Sequence, residues 1–122
     1  MDKKELAIGF LTMVAENKVR EAYDKFIAPD FKHHNQYFKG DRQSLMVAME
    51  EANKKNPNKQ IAIKQAFEDG NRVITHSLVK QNADDIGGAV IHIFKFNNGK
   101  VVELWDLGQP ISKDSPNENG PF

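Results

Sequence analysis

The sequence predicts an α+β layer fold, with helices first and a meander of antiparallel strands after them. Apolar residues recur at a spacing near 3.6 through the first half and near 2 through the second. Three turn-forming segments then cut the second half into strand-length pieces. At 122 residues, with 39% hydrophobic content, the chain has the size of one domain that buries roughly two-thirds of its unfolded surface.

The elements follow in order. From Asp2 to about Asn17, Leu6, Phe10, Met13 and Val14 form a helical stripe that Ala7 and Leu11 widen. Asn17 breaks it, and a second helix runs from Lys18 to Ala28 with Val19, Ala22, Tyr23, Phe26 and Ile27 on its apolar side. Pro29 ends that helix, because the residue before a proline is pushed out of the helical region. Residues 30–40 read as irregular. Asp41 is a suitable N-cap for a third helix that buries Leu45, Ala48, Met49 and Ala52 and dissolves after Lys54 and Lys55. Four strands follow, at about 60–68, 71–81, 88–97 and 100–107, divided by Asp69-Gly70, by residues 82–85 and by Asn98-Gly99. One domain is expected over residues 1–107. Residues 108–122 hold three of the five prolines and predict a tail that forms neither helix nor central strand, and that wraps the surface or stays mobile.

Composition removes several functions. Lys and Arg number 17 and Asp and Glu 17, so no net positive field draws nucleic acid or an anionic membrane. The absence of cysteine excludes disulfides, thiolate metal sites and thiol nucleophiles. No apolar run approaches the ~20 residues that span a bilayer, and the N-terminus lacks a signal-peptide core, so a soluble cytoplasmic protein is expected. Gly87-Gly88 precedes a strand rather than a helix and is no phosphate loop.

The strands carry the informative anomaly. Their alternation sets Ile74, His76 and Leu78 together, Val90, His92, Phe94 and Phe96 together, and Val102, Leu104 and Asp106 together. Three neighbouring strands thus each insert one ionisable residue, His76, His92 or Asp106, into an apolar row. A carboxylate in such a row must be paired, protonated or turned toward a wet cavity. Whether His92 meets Asp106 depends on register. A two-residue Asn98-Gly99 loop pairs Phe96 with Val101 and sets His92 against Trp105. A three-residue Asn97-Asn98-Gly99 loop pairs Phe96 with Lys100, His92 with Leu104 and Val90 with Asp106, and brings the imidazole and carboxylate together as diagonal neighbours. The second register is preferred, because it gathers two otherwise stranded polar groups.

Trp105 and Leu107, on the opposite side with Glu103, predict a second apolar surface suited to a homodimer interface. His33 and His34 are adjacent in an extended segment and point opposite ways, so at most one enters a pocket. No His-x-His or His-Glu-x-x-His spacing supports a metal site, and no Gly-x-Ser-x-Gly elbow supports a serine nucleophile.

Several motifs together resemble a known family. They are the run Ala28-Pro29-Asp30-Phe31-x-His33-His34-Asn35, in which x is any residue, then Tyr37-Phe38-Lys39-Gly40-Asp41-Arg42, then Val90-Ile91-His92-Ile93-Phe94. The strand Glu103-Leu104-Trp105-Asp106 with Gln109-Pro110, and the tail Ser115-Pro116-Asn117-Glu118-Asn119-Gly120, complete the set. The chain resembles the SnoaL-like group of the nuclear transport factor fold, in particular small bacterial SnoaL-like aldol-condensation proteins. Gln36 departs from that subgroup, which often has proline there. The resemblance implies a cystatin-like α+β cone, with the helices packed in a strongly bent antiparallel sheet of four or more strands and a dimer formed through the outer sheet face. It also implies acid/base chemistry without metal or cofactor, in which an Asp on a late strand, matched here by Asp106, serves an intramolecular aldol closure.

The expected function is therefore cofactor-free aldol condensation, cyclisation or isomerisation of a small carbonyl compound, with Asp106, His92 and His34 as catalytic candidates. His33, Asn35, Tyr37 and Phe38 from the loop, and His76, Phe94, Leu104 and Trp105 from the strands, are the substrate-binding candidates. The competing expectation is a non-catalytic dimer of the same fold that binds a small ligand.

Overall fold

A computed structural model describes residues 2–122 and lays three helices against one five-stranded sheet. Helix α1 spans Lys3–Ala15, α2 Val19–Phe26 and α3 Arg42–Lys55. The strands are β1 Ile27–His33, β2 Gln60–Asp69, β3 Arg72–Lys80, β4 Gly88–Asn97 and β5 Lys100–Pro110. Their order across the sheet is β1-β5-β4-β3-β2; β1 runs parallel to β5, and all other neighbours are antiparallel. The helix starts lie where the sequence marks them. The Asp2 side chain accepts the Glu5 N–H at 2.8 Å and the Asp41 side chain accepts the Ser44 N–H at 3.0 Å, each satisfying a donor that the helix leaves free.

Three features differ from the expectation. Strand β1 was hidden, because the segment after α2 reads as helix end and irregular loop. Its pairing with β5 is interrupted between Ile27 and Lys32, the stretch that contains Pro29. A proline is tolerated there because β1 is an edge strand. The second difference is that β5 continues through Gly108 to Pro110, paired with Val90, Ala89 and Gly88, so the expected tail enters the sheet for three residues.

The third difference is the β4–β5 register, which follows neither expected pattern. Asn98 and Gly99 form a two-residue turn with φ 51 and φ 76, the left-handed pair of a type I′ hairpin, so Phe96 does face Val101. The ladder then shifts between Lys95 and Phe96, leaving Val102 as an extra residue on β5. From Glu103 onward the parity is reversed, and His92 lies directly opposite Asp106. The preferred three-residue loop is therefore wrong, although the pair it was chosen to gather does form.

These registers sort side chains into rows. Val73, Phe94 and Leu104 share one inner row, and Thr75, His92 and Asp106 the next. Phe67, Ile74, Ile93 and Trp105 share an outer row. Phe10 of α1 centres the core, its ring edge-on to Tyr23 at 5.6 Å, Phe26 at 6.4 Å and Phe94 at 6.3 Å. Lys100 clasps the end of α2 by donating to the carbonyls of Asp24 and Lys25 at 3.1 and 2.6 Å, which ties the hairpin turn to the helix layer. Among the described residues no helix is long and apolar enough to cross a membrane.

Candidate active site

Between the helices and the inner sheet face lies a cavity of about 230 Å³. Its roof is the apolar stripe of α1 (Phe10, Leu11, Val14) and of α3 (Leu45, Ala48, Met49), and its floor is Ile61, Val79 and Val90. Four polar residues interrupt this lining: Asn35, Lys59, His92 and Asp106. At this volume the cavity is below the usual range for drug-sized ligands and suits a small molecule. Asp106, Asn35, Val79 and Val90 also border a wider outer groove of about 650 Å³, so the carboxylate stands where the inner space meets the outside.

The carboxylate is held on two sides. Asn35 Nδ2 donates to Asp106 Oδ2 at 3.0 Å. His92 Nε2 lies 3.7 Å from Asp106 Oδ1, too long for a hydrogen bond but close enough for both atoms to reach one oxygen between them. Asn35 is itself locked, its Oδ1 accepting the Tyr37 N–H at 3.0 Å and its own N–H donating to His33 Nδ1 at 3.1 Å. Burial pushes the His92 imidazole below its ordinary value of 6.5, against the opposing pull of the Asp106 carboxylate. The ring is therefore neutral at neutral pH, and its Nδ1 is buried without a protein partner.

That depression sets a pH dependence. The folded imidazole titrates below the unfolded one, so the unfolded chain binds more protons between the two values. The contribution is whole above pH 6.5 and is lost as the pH falls through 6.5 toward the folded value. The melting temperature should drop between about pH 7.5 and about pH 5.5, and should drop less in His92→Gln. Equal drops in both proteins would show that another group is responsible.

The other expected site residues fall elsewhere. His33 is buried, but both ring nitrogens are used within the loop, Nε2 donating to the Lys39 carbonyl at 2.7 Å. His34 alternates to the outer face, stacked on Trp105 at 4.9 Å and bonded to Glu103 Oε2 at 2.6 Å, a contact that holds the Glu103 carboxyl below its usual range. Neither His33 nor His34 hydrogen-bonds to Asp106, although His34 borders the same outer groove; Asn35, the next inward residue, does. His76 is also on the outer face, bonded to Gln65 at 2.9 Å and packed on Phe122, because its neighbours Thr75 and Ser77 are the inward pair of β3. Phe94 and Leu104 share the inner face but form the row beneath His92 and Asp106, fully buried in the core rather than lining the cavity. Trp105 lies outside. Phe38 lines the cavity and Tyr37 only the outer groove.

The helical walls were visible as apolar stripes without a hint that they face a void. Lys59 carries no distinguishing signal in the sequence. Among the described residues no three His, Asp or Glu side chains gather into a metal-binding group.

The chain matches the sequence profile of the SnoaL-like polyketide cyclases over residues 5–112. It belongs to that family. No protein of curated function matches this SnoaL-like chain in sequence. Solved structures share its fold. One is an NTF2-like protein of unknown function from Cytophaga hutchinsonii, with TM-score 0.72 and 16% identity over 90% of this chain and 92% of that one. A cystatin-fold protein from Novosphingobium aromaticivorans gives 0.71 and 18%, covering 88% and 98%. A proposed isomerase of the SnoaL-like family from Agrobacterium tumefaciens gives 0.70 and 15%, covering 85% and 94%. These likenesses show a shared fold alone, and the chemistry has to be argued from the cavity.

Proposed function

We propose that this SnoaL-like protein is a small-molecule enzyme that moves a proton alpha to a carbonyl, in an aldol closure or an isomerisation, with Asp106 as the base. The observation that carries the reading is the pairing of His92 with Asp106 across β4 and β5 at the cavity wall, with Asn35 fixing the outer carboxylate oxygen. Asp106 Oδ1 takes the proton from the α-carbon as the C–H electron pair moves into the enolate. The neutral His92 holds the developing enolate oxygen with a hydrogen bond from Nε2–H and keeps its own proton throughout. In an aldol closure the enolate carbon attacks a second carbonyl of the same molecule, and Asp106 returns its proton to the new alkoxide. The apolar roof keeps water from competing for the enolate. Exchange of α-protons for deuterium, followed by NMR over a panel of small ketones in heavy water, tests the reaction directly. Catalysed exchange is expected for at least one ketone; a panel with no exchange above the protein-free rate removes the assignment.

The outer sheet face supports a homodimer. Phe67, Ile74 and Leu107 are exposed there, at 58%, 40% and 60%, in line with Ile91, Ile93 and Trp105. Light scattering should give twice the 13.8 kDa chain mass, and Leu107→Arg should halve it. A monomer at every concentration would dismiss the dimer and leave the cavity argument intact.

A further inference from the structure

Lys59 lies in the turn between α3 and β2 and lines the same cavity as Asp106. Strand β2 is the edge of the sheet farthest from β1, and β5 is three strands across from it, on the order of 14 Å at the usual strand spacing. The cavity thus has a carboxylate and an imidazole at one side, an amine at the other and apolar side chains between. The amine is half-buried, and burial holds it below its ordinary value of 10.5, with no carboxylate among the described residues near enough to offset the loss of water. A cation left without a partner beside an apolar space favours whatever anion enters that space.

We infer that Lys59 is an anchor for a ligand carboxylate, so that the substrate class is a small keto acid whose carbonyl end reaches Asp106 and His92 while its carboxylate end pairs with Lys59. The inference rests on the proton-transfer reading for the role of the carbonyl end only. A single amine and a cavity of about 230 Å³ fit a monoanionic carboxylate rather than a bulkier phosphate dianion. The opposed charges also fix direction, because the reverse orientation sets carboxylate against carboxylate.

Calorimetry with benzoylpropionate and its primary amide tests this, since the two probes differ only in charge and one hydrogen-bonding group. The wild-type protein should bind the acid about tenfold or more tighter than the amide. Lys59→Met should lose that preference, Lys59→Arg should keep it, and Asp106→Asn should keep it while losing α-proton exchange. Equal binding of the two probes, no binding of either at millimolar concentration, or a preference that survives Lys59→Met would overturn the anchor. An acid preference in a wild-type protein that exchanges no α-protons would uphold the anchor and remove the proton-transfer reading.

Discussion

Asp106→Asn should reduce α-proton exchange by a factor of about 10²–10⁴ while the protein folds and melts as before. The substitution is nearly isosteric, and the new amide oxygen can still accept from Asn35 Nδ2, as the carboxylate does at 3.0 Å. Basicity goes and geometry stays. Asn35→Ala gives the complementary result, a smaller loss of rate, because the carboxylate remains but is free to turn. Exchange followed by NMR, alongside a thermal melt of each variant, separates lost chemistry from lost structure. An Asp106→Asn protein as active as wild type would show that the base lies elsewhere.

Phe10→Ala should be the most damaging change to stability, costing about 3–5 kcal/mol. The ring is fully buried and meets three other rings, on α2 and β4, so its removal unfastens both layers at once. Its lost volume would also merge with the cavity that the same residue lines, leaving a larger void that the surroundings cannot close. A melting temperature lower by about 10–20 °C is the expected reading for a chain of this size. Phe10→Leu keeps most of the contact and should lose far less. A Phe10→Ala melt within a few degrees of wild type would place the centre of the core elsewhere.

The helix layer was legible because each helix has an apolar stripe, and α1 and α3 also have a capping residue: Asp2 and Asp41 cap, and Phe10, Tyr23 and Leu45 are buried where the 3.6 spacing sets them. Strands β2 to β4 were legible from alternation and turns. Strand β1 was not, because parallel pairing to a strand about seventy residues later leaves no local mark, and Pro29 suppresses the alternation. That one omission misdirected the loop histidines. Once residues 27–33 form a strand, parity sends His34 outward and Asn35 inward, and the partner of Asp106 becomes an amide. His76 was misassigned for a related reason: β3 alternates two plausible faces, one with Ile74 and Leu78, the other with Thr75 and Ser77. The core took the face with two hydroxyls, on which Val73 and Val79 supply as many aliphatic side chains as Ile74 and Leu78 supply on the other.

The additional residue at Val102 gives β5 an uneven tolerance to changes in length. Losing one residue between Val101 and Leu104 can be absorbed by straightening the ladder, with Phe94 still opposite Leu104 and His92 still opposite Asp106. Gaining one has no such slack to draw on, and the acid would swing round to the side where Trp105 now lies. Chains shorter by that one residue are therefore compatible with the facing of His92 and Asp106, while chains longer by a single residue would need a second irregularity to preserve it.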